Sequence, residues 1–328
     1  MALKTDYKDY IPPSGGRKYK ITANSDGSSS VEDITQYQQV GDTWGAEDIN
    51  QVNKLVNGAV YPNLGTNTNF PNAINQRGAA SYTTTTEASI YCIDRWRISK
   101  NTTYTVASFT LTAPSYAARA CGMWQSNEMG AHQLSIGDDV TVSIYANGKL
   151  HTPTMKVIDR DLYDAFTNVP AGYDCDDFEI VLCTYAKDKT KYNLGIYPKK
   201  LLSVNYIKWE KGSVATPYVP KGYGAELSEC LRYYYQVSSV RTFGQQHTGA
   251  GTYVNVILPQ VMRVTPTVSA PGEWTIRFNG MDKNATVSSV GSLNGNTLNL
   301  TMSTIAGGTY IGPLYAFYND KITFSADL

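Results

Sequence analysis

The amino-acid sequence predicts a mainly β protein of tandem β-sandwich domains, with a short hairpin-and-helix segment at the N-terminus and a short helix between the domains. Short runs of alternating apolar and polar residues recur along the chain, and turn residues such as Asn147-Gly148 separate them. The 328 residues include 25 tyrosines but 8 phenylalanines, a composition typical of β-strands and of large contact surfaces. Many short strands within about 150 residues indicate a sandwich.

The charge balance restricts the partners that the chain can have. Its 28 basic and 28 acidic residues cancel, so there is no overall field to hold nucleic acid or an anionic membrane surface. No apolar run approaches the roughly 20 residues of a membrane-spanning helix, and the first residues lack the pattern of a signal peptide. We therefore expect synthesis in a cytoplasm, and neither nucleic acid nor a membrane as partner.

The cysteines and the acidic clusters are the candidate metal ligands of the sequence, neither group favours a metal site, and no cofactor is expected. Five widely spaced cysteines without a Cys-x-x-Cys pair favour free buried thiols over disulfides or zinc. Two carboxylate clusters leave calcium open if their loops converge, although solvated loop acids are the interpretation that we favour. The clusters comprise Asp159, Asp161, Asp174, Asp176 and Asp177, and the cysteines are Cys92, Cys121, Cys175, Cys183 and Cys230.

Residues 1–61 are predicted to form an N-terminal segment. A hairpin is expected within residues 18–35, and a helix of about three turns follows it and ends near Gly58. The helix has one narrow apolar stripe, and so short a helix is not stable alone in water. The stripe packs either on the next domain or against copies of itself on a symmetry axis, and both interpretations stay open. Its residues are Ile49, Val52, Leu55 and Val56.

Residues 62–222 are predicted to form the first β-sandwich. Three arginines, Arg77, Arg95 and Arg97, stand close in sequence to Asp94 and Trp96. They predict a buried ion-pair and cation–π cluster, which we interpret as scaffold rather than as a ligand site. Strands are expected at residues 104–112, 140–144, 178–182, 192–197 and 206–209.

Residues 223–328 are predicted to form the second β-sandwich. Pro217 and Pro220 keep the preceding segment extended, and a helix at residues 225–235 follows. One side of this helix is apolar, and we expect the C-terminal domain to bury it. That side comprises Leu227, Cys230, Leu231 and Tyr234. Strands are expected at residues 253–258, 265–268, 274–278, 298–302, 314–318 and 322–324, and the last of them is expected inside a sheet.

Two regions carry side chains suited to sugar recognition. An exposed tryptophan can stack on a pyranose while amide and carboxylate groups bind its hydroxyls, and the first region has this composition; the alternative is a tryptophan of the core. The second region, which we favour, consists of two predicted loops, residues 243–252 and 279–296. The candidates are Trp124, Gln125, Asn127 and Glu128 in the first region and Phe243, Gln246, His247 and Tyr253 in the second.

Residues 212–235, GSVATPYVPKGYGAELSECLRYYY, carry a family resemblance. The string resembles the segment that closes a jelly-roll domain and opens the distal domain in tail-fibre and receptor-binding proteins of tailed bacteriophages. The matching positions, with the preceding glutamate, are Glu210, Gly212, Ser213, Ala215, Thr216, Pro217, Tyr223, Glu226, Leu227, Cys230, Arg232, Tyr233 and Tyr234. A second series is similar to the start of that jelly roll, and its positions are Asn69, Phe70, Asn75, Gln76, Arg77, Gly78, Asp94, Arg95 and Trp96.

The resemblance implies a carbohydrate-binding-module-like jelly roll in the first domain and a homotrimer located in the virion. It also implies that the N-terminal segment attaches to other tail or baseplate proteins and that the ligand is a bacterial surface glycan. A structural spacer without receptor contact and a polysaccharide depolymerase are the alternatives. Since no catalytic motif stands out and the short repeats of a β-helix are missing from the sequence, we expect a binding protein rather than an enzyme.

Overall fold

The structure is a computed structural model that describes residues 13–38, 52, 63–85, 89–99, 101–113, 121–159, 172–185, 188–247, 251–278, 280–303 and 312–327. Its internal contacts divide the chain into two compact units, Met1–Tyr61 and Pro62–Leu328. The described part of the chain is mainly β, as predicted, and the second unit contains two sandwiches with separate hydrophobic cores. No helix among the described residues is long and apolar enough to cross a lipid bilayer.

The first unit contains the predicted hairpin, formed by antiparallel strands β1 (Tyr19–Ala23) and β2 (Ser29–Asp33). In its turn, the carboxylate of Asp26 accepts hydrogen bonds from the backbone amide of Ser28 at 2.9 Å and from its hydroxyl at 2.6 Å. The apolar stripe of the following helix lies outside the described residues, apart from Val52, which is helical. The assembly role of Ile49, Val52, Leu55 and Val56 therefore stays a prediction.

Two antiparallel sheets form the first sandwich. Their strands are β3 (Ser81–Thr83), β4 (Ile90–Tyr91), β5 (Trp96–Ser99), β6 (Thr103–Thr105), β7 (Thr110–Thr112), β8 (Gly122–Glu128), β9 (Asp139–Ala146), β10 (Lys149–His151), β11 (Thr154–Lys156), β12 (Tyr173–Asp174), β13 (Phe178–Tyr185), β14 (Asp188–Pro198) and β15 (Leu202–Lys211). Sheet A has the order β10-β9-β15-β7-β6-β3, with β11 also paired to β9. Sheet B has the order β12-β13-β14-β8-β5-β4.

Alternating side chains of both sheets fill the first core. Val140, Val142 and Ile144 of β9 are fully buried, as their period of two predicts. Trp96 lies at the centre, with its ring centroid 5.3 Å from that of Phe70 and 6.3 Å from that of Trp209. The sheets are therefore held together by a packed aromatic group.

Turn geometry confirms one sequence prediction and corrects another. The β9–β10 turn has positive φ at Asn147 (48°) and Gly148 (76°), as a type I′ turn requires. The predicted strand at residues 104–112 was wrong, because a turn divides it into β6 and β7. Phe109 there has φ 45°, and its amide donates to the Val106 carbonyl at 3.2 Å, which reverses the chain.

The second sandwich begins with helix α1 (Tyr223–Leu231), which starts and ends earlier than predicted. Tyr234 belongs to a strand instead, because it pairs with Ser325. The strands are β16 (Tyr234–Val237), β17 (Val240–His247), β18 (Gly251–Ile257), β19 (Thr267–Ser269), β20 (Trp274–Phe278), β21 (Met281–Ala285), β22 (Val287–Asn294), β23 (Thr297–Met302), β24 (Gly312–Tyr318) and β25 (Ile322–Ser325). Sheet C has the order β16-β25-β19, and sheet D has the order β21-β20-β24-β17-β18-β23-β22.

The final described strand lies inside a sheet, as predicted, whereas the two predicted loops were wrong. Ile322, Phe324 and Ala326 are buried, and β25 is the central strand of sheet C. Residues 243–252 belong largely to β17 and β18, and residues 279–296 largely to β21 and β22. In β22 two register shifts interrupt the alternation, so that its apolar residues do not follow the period of two by which a strand is recognised.

Candidate functional site

The outward side of sheet D is the candidate site. Leu314, Ala316 and Tyr318 of β24 are buried in the second core, so the residues between them point away from it. The same parity applies to β17, β18 and β20. We call this surface the outer aromatic face, and it comprises Arg241, Phe243, Gln245, Tyr253, Asn255, Thr275, Arg277, Pro313, Tyr315 and Phe317.

An exposed pair of rings occupies the middle of the outer aromatic face. Phe243 and Tyr315 lie directly opposite each other in the β17–β24 register. Their ring centroids are 4.9 Å apart, and the rings are tilted by 54°. Phe243 is 64% exposed and Tyr315 is 53% exposed, although aromatic side chains usually bury most of their surface. A rigid sheet therefore presents two rings to a ligand.

Two arginines flank a third ring beside this pair. The guanidinium carbon of Arg241 lies 5.9 Å from the Phe317 ring centroid, and that of Arg277 lies 5.5 Å from it. Arg277 also forms two hydrogen bonds to the carboxylate of Asp282, at 2.6 and 2.7 Å, and these hold the pKa of Asp282 below its usual value. Arg241 is exposed and has no ion pair within the described part of the chain.

The predicted distal site residues are only partly brought together. Phe243 and the half-buried Tyr253 lie on the outer aromatic face, but Gln246 is 5% exposed and lies on the opposite side of β17. His247 is the last residue of β17, and the structure describes its backbone but not its side chain. The prediction missed Tyr315, Phe317, Arg241 and Arg277, although alternation within PLYAF and VRTFGQ is the signal that could have found them.

The first candidate region was wrong as an open sugar-binding surface. Trp124, Gln125 and Asn127 lie on β8 within sheet B, and 7%, 0% and 2% of their surfaces are exposed. The Gln125 amide is engaged within the protein, because its oxygen accepts from the Thr66 amide at 3.1 Å and its nitrogen donates to the Thr66 carbonyl at 2.7 Å. Glu128 is half-buried and pairs with Arg263 of the second sandwich at 3.0 Å.

The predicted buried ion-pair and cation–π cluster is confirmed, and it joins the two sandwiches. Arg77 contacts Asp94 at 3.0 Å and Asp327 at 2.8 Å, and all three side chains are largely buried. The Arg77 guanidinium also lies 3.8 Å from the Tyr234 ring centroid. Arg95 covers the ring of Tyr233 at 3.6 Å. We call these six residues the junction network; Trp96, which the prediction included, lies in the core instead.

Burial controls the charge state of the junction network. It raises the pKa of Asp94 to about 6, against the opposing effect of the Arg77 guanidinium. Burial likewise raises the pKa of Asp327, and Arg77 again opposes the shift. The arginine therefore stabilises two carboxylates that the surrounding protein would otherwise favour in the protonated form.

Helix α1 opens the second sandwich, as predicted, and it also contacts the first sandwich, which was not predicted. Glu226 accepts a hydrogen bond from the backbone amide of Asn67. The carboxylate of Glu229 accepts from the Thr66 hydroxyl at 3.1 Å and pairs with Lys221 at 2.7 Å. The helix docks through polar contacts because acidic residues occupy its inner side. Of its predicted apolar side, Cys230 is fully buried, whereas Leu227 and Leu231 are half-buried.

His132 is held neutral in the first sandwich. The Tyr192 hydroxyl accepts a hydrogen bond from the Trp209 indole at 2.9 Å and lies 2.6 Å from His132 Nδ1. In the tautomer of neutral His132 that carries its proton on Nε2, Nδ1 accepts the Tyr192 hydroxyl proton. Burial lowers the pKa of His132 to about 4, and the charges of Arg95 and Lys221 act in the same direction. Protonation of Nδ1 would remove this acceptor.

Acidification is therefore expected to weaken the fold through His132. Because its pKa is lower in the folded state than in the unfolded chain, its contribution is complete above the unfolded pKa and is lost as the pH falls towards about 4. The loss is about 3 kcal/mol in the free energy of unfolding. His132→Gln, whose amide oxygen can still accept from Tyr192, should flatten the pH dependence measured by urea unfolding. Identical pH dependence in both proteins would contradict this account.

The acidic clusters pair with lysines. Asp177 contacts Lys200 at 2.5 Å, and Asp174 and Asp159 contact Lys199 and Lys189. Asp161 lies outside the residues that the structure describes. Within the described ranges, no three histidine, cysteine or acidic side chains are grouped so that they could hold a metal ion, and the five cysteines are free thiols. The lysine pairs agree with solvated loop acids.

Comparison of the chain with protein-family models, with curated proteins and with solved structures finds no match.

Proposed function

We propose that this chain is a tail-fibre or receptor-binding protein of a bacteriophage, a homotrimeric adhesin of the virion that recognises bacterial surface glycans. The observation that carries the proposal is the exposed pair of Phe243 and Tyr315 on the outer aromatic face. The sequence resemblance supplies the class of protein, the trimer and the attachment of the N-terminal segment to other tail or baseplate proteins.

The outer aromatic face has the chemistry that a neutral or charged pyranose needs. Flat rings stack on the C–H side of a sugar, and the amides of Gln245 and Asn255 lie on the same side of the sheet to bind hydroxyls. Phe243 lies on β17 and Tyr315 on β24, and each of these strands is paired with a neighbour on both sides within sheet D. The strands that carry the rings are therefore held in place before a ligand arrives. Preorganisation of this kind lowers the entropic cost of binding.

Removal of both rings is expected to abolish binding. Phe243→Ala combined with Tyr315→Ala should reduce adsorption to host cells, and affinity on an array of bacterial glycans, by about tenfold or more, since central aromatic residues dominate many binding sites. Folding should be little changed, because both rings are exposed. Tyr223→Ala is the matched control, because Tyr223 is 70% exposed but lies on α1, away from sheet D. Equal binding by the wild type and the double variant would rule out this surface as the receptor site.

The junction network favours a second candidate, a structural spacer that carries another adhesin. Buried charge pairs and cation–π contacts join the two sandwiches and fix their orientation, as a rigid spacer requires. A spacer would bind no glycan in either the wild type or the double variant. The array experiment therefore separates the two candidates.

A further inference from the structure

We propose that the outer aromatic face binds an acidic sugar, a hexuronate of a bacterial polysaccharide whose ring stacks on Phe243 and Tyr315 while its carboxylate pairs with Arg241. This inference rests on the proposed function and specifies the ligand of the same site.

Arg241 and Phe243 are placed to hold two parts of one sugar. They are two residues apart on β17, so they lie on the same side of the sheet about 7 Å from each other along the strand. The Phe317 ring lies beneath the Arg241 guanidinium at 5.9 Å and is opposite Arg241 in the register. This cation–π contact orients the guanidinium and leaves its N–H groups available to an anion.

Arg241 is also the cation of this face whose charge is not balanced. Arg277, on the other side of Phe317, is neutralised by its two hydrogen bonds to Asp282. Glu273, directly before β20, accepts a hydrogen bond from Asn284 of β21 at 2.8 Å. Arg241 has no such partner among the described residues. Among the residues that the structure describes, the face therefore combines two exposed rings with one arginine that forms no ion pair.

The combination selects a carboxylated pyranose over other anions. A guanidinium binds a carboxylate through two parallel hydrogen bonds. The ring pair requires a flat apolar surface on the same ligand, which a pyranose provides and a polyol phosphate chain does not. A hexuronate residue carries the carboxylate directly on its ring, so one sugar can satisfy both contacts.

The test uses the full chain and pairs of oligosaccharides that differ only in charge. Tetrasaccharides of glucuronate, galacturonate and mannuronate are titrated calorimetrically beside their carboxyl-reduced neutral forms, with a ribitol phosphate oligomer as a second anion. The wild type should prefer the acidic form of at least one pair by about tenfold, and added salt should reduce that preference. Arg241→Gln should remove the preference while weaker binding of both forms persists.

Lys283→Gln is the matched control, because it removes one positive charge from the same sheet at a position opposite the buried Ile276, on the other side. It should keep the preference. Equal affinity for acidic and neutral forms, with binding lost in the Phe243 and Tyr315 double variant, would overturn the acidic ligand but leave glycan recognition intact. Preferential binding of ribitol phosphate would also overturn it. Failure of every saccharide to bind the wild type would overturn both proposals. A change of solution mass in the double variant would also overturn both, because the two rings would then contribute to a contact between copies of the chain.

Discussion

Arg77→Ala is expected to destabilise the chain by about 3–5 kcal/mol, because it leaves two buried carboxylates without their shared cation. Asp94 and Asp327 each bind one terminal nitrogen of Arg77, and their side chains are 1% and 5% exposed. The variant also loses the contact with the Tyr234 ring, so the interface between the sandwiches loses charge pairing and packing together. Urea unfolding near neutral pH measures the effect.

The sign of the pH dependence identifies the cause. Without Arg77 the folded-state pKa values of Asp94 and Asp327 should rise further above that of an unfolded aspartate, so protonation should stabilise the variant relative to the wild type as the pH falls. Asp94→Asn and Asp327→Asn, added to Arg77→Met, should recover most of the loss, because no buried charge remains. Lys156→Ala, which breaks an exposed pair with Asp139, should have little effect. A similar small effect in Arg77→Ala would contradict the role of the network.

Trp96→Ala is expected to lower the free energy of unfolding by about 3–5 kcal/mol, because it leaves a cavity at the centre of the first core. The Trp96 ring is fully buried against Phe70 and Trp209. Its indole also donates to the Asn67 carbonyl at 2.8 Å, and that acceptor would lose its partner. The free energy of unfolding of the first sandwich should fall accordingly.

Phe243→Ala is the matched control for this core variant, because it truncates an aromatic ring that is 64% exposed. Its free energy of unfolding should change little. If the two variants were equally stable, Trp96 would not be the centre of the core.

Strands whose side chains alternate regularly could be predicted from the sequence. The alternation at Val140, Val142 and Ile144, and at Ile322 and Phe324, reports a sheet with one buried side, and each is buried as expected. The strands that escaped prediction lack this signal. In β22 the register shifts break the period of two. In β17 the inward position 244 is a glycine, because a Cβ there would lie 2.1 Å from the Tyr253 carbonyl oxygen.

The candidate site was predicted only in part because its residues come from strands distant in sequence. Phe243 was identified, but Tyr315 and Arg277 join it only through the pairing of β17, β24 and β20, which local patterns do not specify. The tryptophan region shows the opposite error. Gln125 and Asn127 have the composition of a sugar site, yet their amides satisfy buried backbone and arginine groups.

Radical footprinting of the full wild-type chain, with and without a bound bacterial glycan, tests the central claim most directly. Oxidation of Phe243 and Tyr315 should be rapid in the free protein, because both rings are exposed, and strongly reduced when the glycan is bound. Oxidation of Trp124, which is buried in the free protein, should be slow in both states. Binding that leaves Phe243 and Tyr315 as reactive as before, with protection at any other surface, would contradict the assignment of the outer aromatic face as the receptor site.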